Sequence, residues 1–274
     1  MNMNMDKYRV VPFPQERRLI TDVGWMAQNK PTIYGLLEID VTTPRQLIRD
    51  HKEKTGERLS FTAYLAACVG RAVDSNKKLH AYQDWLGRLV LHDEVDIATM
   101  IEVEKEGKRF PVGHIIRAAN KKSFREIHEE IRSAQRKPME SQSVRWLYSL
   151  SSLPRIIRRL LLRLVERSPR LIKRYKGTVI LTSVGMFVGG SGWGLSLPSH
   201  TLGITVGGVI EKPGIVDGRI EAREYLHVTL DFDHNIVDGA PAARFAEQFR
   251  ELVENGDELT CKGEGHELQT HSYD

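Results

Sequence analysis

From Thr32 to Val41 (TIYGLLEIDV) the chain is dense in β-branched and apolar residues, a pattern that predicts a strand. Thr42-Thr43-Pro44 ends it and opens a helix. Thr43 can cap, Pro44 suits a first turn whose N–H groups lack partners anyway, and Leu47 and Ile48 begin an apolar face. Gly56 is the predicted stop. Phe61 to Val73 is apolar around its circumference, as a buried helix is. Short strands are predicted at Arg88–Leu91, Val95–Val103 and Phe110–Ile116, with Lys105-Glu106-Gly107-Lys108 as the turn between the last two. Ser123–Gln135 returns to helical spacing, with Phe124, Ile127 and Ile131 on one side. Strands follow at Thr178–Ser183, Thr201–Ile210 and Glu224–Asp233, with Asp217-Gly218 as a hairpin turn. A last helix, Ala240–Glu254, turns Phe245, Phe249 and Leu252 inward, and from Asn255 the chain is polar and is expected to be loose. Strands and helices mix without strict alternation or repeat, which predicts an α+β layered fold on a mixed β-sheet.

Between Val144 and Lys176 the pattern changes. Leu153, Ile156, Ile157, Leu160, Leu161 and Leu164 recur at the spacing of one helix face, and Arg155, Arg158, Arg159 and Arg163 fill much of the rest. Pro154 marks the predicted start, Pro169 the end, and Trp146 and Tyr148 precede it. The stretch holds ten Lys or Arg and one acid, Glu166, a formal charge of +9; with the whole chain at +4, the remainder carries −5. Two readings stay open for this segment. Its apolar face packs on its own protein or subunit, or the helix lies on an anionic membrane surface or in an acidic partner's groove. The modest net charge gives no reason to expect nucleic acid as a partner.

Cys68 and Cys261 lie far apart with no metal or redox spacing, so no disulfide framework is expected and a reducing compartment is the simpler reading. Met1 to Asp6 is polar, unlike a signal peptide, and no window reaches the roughly 18 apolar residues a membrane span needs. A cytoplasmic protein is expected, peripheral at a membrane if the basic segment docks there. The histidines show no ligand spacing, and no metal is expected. Gly185–Gly194 is glycine-rich but lacks the Lys-Ser/Thr of a phosphate loop, and reads as shaping a channel-side loop.

The candidate chemistry lies near the C-terminus, where His227-Val-Thr-Leu-Asp-Phe-Asp-His-Asn-Ile-Val-Asp-Gly-Ala240 runs a strand into Asp233-His234 and a helix follows Gly239. A histidine at a strand end, with Asp238 four residues on and a glycine to permit a tight turn, suits a catalytic corner: imidazole titrates near neutrality and accepts a thiol or hydroxyl proton. Taken alone, the pattern is weak, and a hydrogen-bonded structural histidine is the favoured reading of it.

The run Phe232 to Ala240, followed by Ala243-Arg244-Phe245, resembles the active-site segment of the catalytic domain of 2-oxo acid dehydrogenase acyltransferases. That family shares its two-layer fold and His-x-x-x-Asp-Gly signature with chloramphenicol acetyltransferase. Pro14–Ile20, Pro31–Thr42, Leu59–Ala72, Val95–Ile116 and Thr178–Gly185 are similar, in order, to other segments of the family, so the resemblance covers most of residues 8–255. It implies one catalytic domain over residues 1–274, with a basic helical insert at about 144–176 and a polar tail from about 256. The implied activity is acyl transfer between coenzyme A and a thiol, hydroxyl or amine. His234 is the implied general base. Thr182 is the implied donor to the oxyanion, with Ser183 in its place if the strand register slips by one. Asp238 is implied to hold the loop through Arg17 or Arg18, and Gly239 to shape the turn. The resemblance also implies a homotrimer whose chains share each site.

Three departures shape these expectations. No lipoyl domain or linker precedes the catalytic segment, so a lipoyl group, if used, belongs to a separate carrier protein. Asn235 stands where the dehydrogenase enzymes usually carry arginine, which bears on acceptor preference. The 144–176 insert enters just before the Thr182 strand, and the polar Gly263–Asp274 tail lacks an apolar anchor, predicting an isolated trimer. The alternative to an enzyme is a non-catalytic trimeric scaffold that docks through the basic insert.

Overall fold

Residues at alternate positions of the strands face a helical layer, and the computed structural model of the chain describes this for residues 9–28, 30–105, 108–136, 149–184 and 191–260. The main sheet comprises β1 (Thr32–Asp40), β4 (Ile97–Lys105), β5 (Lys108–Ile116), β6 (Val179–Ser183), β7 (Leu202–Val216) and β8 (Arg219–Asp233). Its order is β1-β8-β7-β6-β4-β5, and neighbours are antiparallel except β4–β6 and β6–β7. β2 (Tyr82–Gln83) and β3 (Leu89–Val90) pair separately as a short hairpin. The mixed sheet and its helical layer are the expected α+β architecture.

Helices α2 (Thr42–Thr55), α3 (Phe61–Asp74), α4 (Phe124–Arg136) and α7 (Gly239–Asn255) belong to that layer. Ile39 of β1, Val228, Leu230 and Phe232 of β8, and Leu202 and Ile204 of β7 share one core with Tyr64 and Val69 of α3 and Phe245 and Phe249 of α7. Gly56 closes α2 in the left-handed region, φ 76°, as predicted. Ser60 caps α3, its hydroxyl oxygen accepting from the Ala63 N–H at 3.2 Å. Gly177, which delivers the chain into β6, has φ 80°, and a Cβ there would lie 2.8 Å from the Asp96 carbonyl oxygen, so glycine is required twice over.

β7 and β8 run well past their predicted limits, Ile210 and Glu224, into a projecting hairpin. Their outer halves meet solvent, so the apolar signal fades there: Ile215 and Ile220 are exposed. Asp217 and Gly218, at φ 48° and 77°, form the predicted turn.

The basic segment differs more. Its helix α5 (Arg155–Glu166) begins where Pro154 predicted, but Pro169, the expected end, opens a second helix, α6 (Pro169–Tyr175). Arg158, Leu162 and Val165 of α5 are buried, whereas Ile156, Ile157, Leu160 and Leu164 are exposed. The expected apolar face therefore points outward and an arginine face points in. α1 (Gln15–Ala27) explains this. Its Asp22, fully buried, accepts from the Arg158 Nε–H and, at 3.0 Å, from Arg159 Nε–H. Arg159 and Arg163 also lie over the Trp25 ring, 4.3 and 4.7 Å from its centroid. Buried guanidinium pairing outweighs the stripe's preference for the interior because an unpaired buried carboxylate is far more costly. α6 is tied down by Lys173 to Glu94 at 2.8 Å and by Arg117, which donates to the Arg174 carbonyl at 2.6 Å.

Asp22→Ala is expected to destabilise the chain by about 3–5 kcal/mol, because it strands a buried guanidinium. A double Asp22→Leu/Arg158→Leu variant should recover most of that loss. Urea unfolding followed by circular dichroism reads both. A single variant as stable as wild type would show that the pair does not hold α5.

Met1–Asp6, Glu106-Gly107 of the predicted turn, Arg145, Trp146, Tyr148, Gly185–Gly190 and the tail beyond Thr260 lie outside the described residues. Among those described, a four-residue helix α8 (Asp257–Thr260) follows α7, and no helix is long and apolar enough to cross a membrane.

Candidate active site

β8 carries the chain to His234, whose backbone N–H donates to the Pro31 carbonyl at 2.8 Å, extending the β1 pairing by one residue. A tight turn follows. The Ile236 and Val237 N–H groups both donate to the Asp233 carbonyl at 3.0 Å. The Asp233 carboxylate accepts from the Asn235 N–H at 3.1 Å and from its side-chain amide at 2.9 Å. Asn235 thus serves the turn itself. Gly239 has open space where a Cβ would stand and no left-handed φ. The turn is therefore made by Asp233 and Asn235 and not, as expected, by glycine's freedom.

His234 Nδ1 lies 3.1 Å from the Val237 carbonyl oxygen. A carbonyl only accepts, so Nδ1 carries the proton and Nε2 is left with a free lone pair. The side chain is 46 % exposed, and Asp238, 86 % exposed, places a carboxylate oxygen 3.8 Å from Nδ1. This is the geometry of a base: one nitrogen held, the other presented.

Arg17 and Arg18 are both exposed on α1, and among the described residues neither forms an ion pair with Asp238. The cation that stands near the turn is Lys30, 3.9 Å from Asp233. Sequence reasoning missed Lys30 because nothing in the spacing links the start of β1 to the end of β8.

The register separates Thr182 from Ser183. Thr182 pairs with Thr205, which pairs with Thr229, so three threonines line one row on the face away from the helices. Ser183 pairs with Val206, which pairs with Val228, on the helical side. Buried Thr205 and Thr229 leave their hydroxyls without a partner among the described residues.

His234 and Thr182 do not meet within one chain. His234 lies five residues beyond Thr229, about 17 Å along β8, and Thr182 is two strands across, about 10 Å more sideways. Side chains of these lengths cannot close that gap.

The sequence profile of the family described as 2-oxoacid dehydrogenases acyltransferase (catalytic domain) matches residues 5–143 and 149–261. The chain belongs to that family. It is similar to the lipoamide acyltransferase component of the branched-chain alpha-keto acid dehydrogenase complex of Bacillus subtilis (strain 168), 22% identical over 235 residues, covering 84% of this chain and 48% of the relative. The chain thus spans about half the length of the curated relatives it matches. Its fold is that of the cubic core of the pyruvate dehydrogenase multienzyme complex, with TM-score 0.68 and 17% identity, covering 93% of this chain and 95% of that one. The Azotobacter vinelandii dihydrolipoamide acetyltransferase is as similar, with TM-score 0.67 and 18% identity over 92% of this chain and 94% of that one. That structure served to study a serine, a histidine and, four positions after the histidine, an asparagine in the catalytic mechanism.

Two further features of this 2-oxoacid dehydrogenase acyltransferase domain escaped sequence reasoning. His227, buried on β8, accepts from the Gly192 N–H at Nδ1 (2.9 Å) and faces Glu38 with Nε2 (3.2 Å), while the Trp193 ring stacks on it at 4.1 Å. This clamps the 191–194 segment over the sheet. Asp231, two residues before Asp233, is buried against Gly203, where a Cβ would strike its carboxylate, and accepts from the Ser196 hydroxyl at 3.1 Å. Burial pushes its carboxyl up to about 6, against one hydrogen bond from Ser196 and the more distant charge of Lys30.

Between about pH 4 and 6 the folded acyltransferase domain binds a proton that the unfolded chain releases, so stability falls as pH rises through that window and levels off above it. Asp231→Asn is expected to remove this loss, raising stability at pH 7.5 by roughly 2 kcal/mol while changing it little at pH 4. Urea midpoints at the two pH values test this; equal effects at both would refute it.

Proposed function

We propose that this chain is a CoA-dependent acyltransferase whose general base is His234 Nε2 and whose oxyanion donor is Thr182 of a neighbouring chain in a homotrimer. The observation that supports it best is the tautomer: the Val237 carbonyl engages Nδ1 and leaves Nε2 basic and solvent-accessible. Membership in the acyltransferase family and the roughly 20 Å gap between His234 and Thr182 within one chain support a site shared across an interface.

The chemistry then runs as acyl transfer out of the CoA thioester, giving a thioester, ester or amide according to the acceptor. Nε2 takes the proton from the acceptor's thiol, hydroxyl or amine, and the freed atom attacks the acyl carbonyl of acyl-CoA. Charge gathers on the carbonyl oxygen, where the Thr182 hydroxyl donates a hydrogen bond. Collapse breaks the C–S bond, and the CoA thiolate leaves with the proton from the imidazolium. The Asp238 carboxylate, near Nδ1, favours the transient imidazolium modestly, being well exposed. A dihydrolipoyl group is the acceptor class that the relatives' names suggest.

The test is CoA thiol release from acetyl-CoA, with dihydrolipoamide and a panel of small amines and alcohols as acceptors. Release should depend on an acceptor and collapse in His234→Ala. Equal release by wild type and His234→Ala with every acceptor would leave the scaffold reading in place of the enzyme.

A further inference from the structure

Among the described residues, nothing covers the outward face of α5. Ile156 is 84 % exposed, and Ile157, Leu160 and Leu164 are about half exposed, in one stripe at helical spacing. The helix cannot roll to bury them, because Arg158 and Arg159 are held by Asp22 and Arg163 lies on Trp25. The tip of the β2–β3 hairpin extends the same side. Trp85, 73 % exposed, lines a cleft of about 840 Å³ with Leu160, Leu164 and Arg163, and the far end of that cleft reaches Asn235 and Ile236 of the His234 turn, so the face borders the candidate site; Leu86 beside Trp85 is also exposed.

The charges around the stripe have one sign. Arg155 and Arg163 are exposed on α5, Arg167 just past its end, and Arg170 and Arg174 on α6. The only acid of either helix, Glu166, is taken by Lys176 at 2.8 Å, and Asp84 of the hairpin by Arg88. We propose that this face docks the protein on an anionic lipid bilayer, with Ile156, Leu160, Leu164 and Trp85 entering the headgroup boundary and the flanking arginines meeting lipid phosphates.

A second copy fits less well, since its matching stripe would bring arginines against arginines. At 12 residues, about 18 Å, α5 is too short to span a bilayer and is suited to lie along it. An exposed tryptophan at the rim is at home at the membrane interface.

The test is co-sedimentation of the full chain with phosphatidylcholine vesicles, with and without phosphatidylglycerol. Wild type should bind only the anionic vesicles and lose binding as salt is raised. Leu160→Glu/Leu164→Glu should weaken binding by at least about tenfold, with circular dichroism unchanged because both positions are exposed. Ile215→Glu/Ile220→Glu, an equally apolar pair on the distant β7–β8 hairpin, should bind as wild type does. Wild type that ignores anionic vesicles, or binds them equally with the Leu160/Leu164 variant, overturns the proposal. So does a fall in particle mass on light scattering for that variant, which would make the stripe a contact between copies, or capture by an acidic protein without any by vesicles.

Discussion

His234→Asn is expected to lower kcat for acyl transfer by roughly 10²–10⁴-fold, the usual contribution of a positioned general base, with KM for acyl-CoA changed only a few-fold. Asparagine is the informative choice. Its amide nitrogen stands close to where Nδ1 was and can still donate to the Val237 carbonyl, so the turn survives while the basic Nε2 is lost. The imidazole is half exposed and fills no core, so folding should be unaffected. Steady-state kinetics with whichever acceptor supports CoA release separates the readings: a raised KM at unchanged kcat would make His234 a binding residue and not a base.

The helical and strand core was legible because each element buries one side. β1 reads as a strand and α3 as a buried helix from composition alone, and both match the observed limits to within a residue or two. The outer halves of β7 and β8 were not legible, since neither face there is buried and no alternation is enforced. α5 was legible as a helix but misread in orientation. Periodicity reports that two faces differ, not which one has a partner, and the partner here is Asp22, more than a hundred residues earlier. An aspartate inside an otherwise half-apolar α1 was the available sign.

The site divides in the same way. His234 was visible from its strand-end position and the residues after it, whereas the tautomer rests on a backbone carbonyl that no side-chain pattern encodes. Thr182 stood ahead of Ser183 only by resemblance, and it is the pairing with Thr205 that assigns them to opposite faces. The burial of Asp231 arises where Gly203 on the adjacent strand leaves room for a carboxylate that a Cβ would fill, a contact between residues 28 positions apart.

The proposed sharing of the site between chains makes a second strong prediction. Thr182→Ala removes one oxyanion donor and is expected to reduce kcat by about 10²–10³-fold, near 3 kcal/mol of barrier. Neither this variant nor His234→Ala should be active alone. In a cyclic trimer, each site takes its imidazole from one chain and its hydroxyl from the next. When the two variants are mixed one to one, unfolded and refolded together, about a quarter of the sites should combine an intact His234 with an intact Thr182. Activity should therefore return to about a quarter of the wild-type level per site, far above either parent. If both groups instead acted from one chain, every chain in the mixture would lack one of them, and refolding together would restore nothing. The separation of His234 and Thr182 by five residues of register and two strands favours the first outcome, because no side-chain rotation closes a gap of that size.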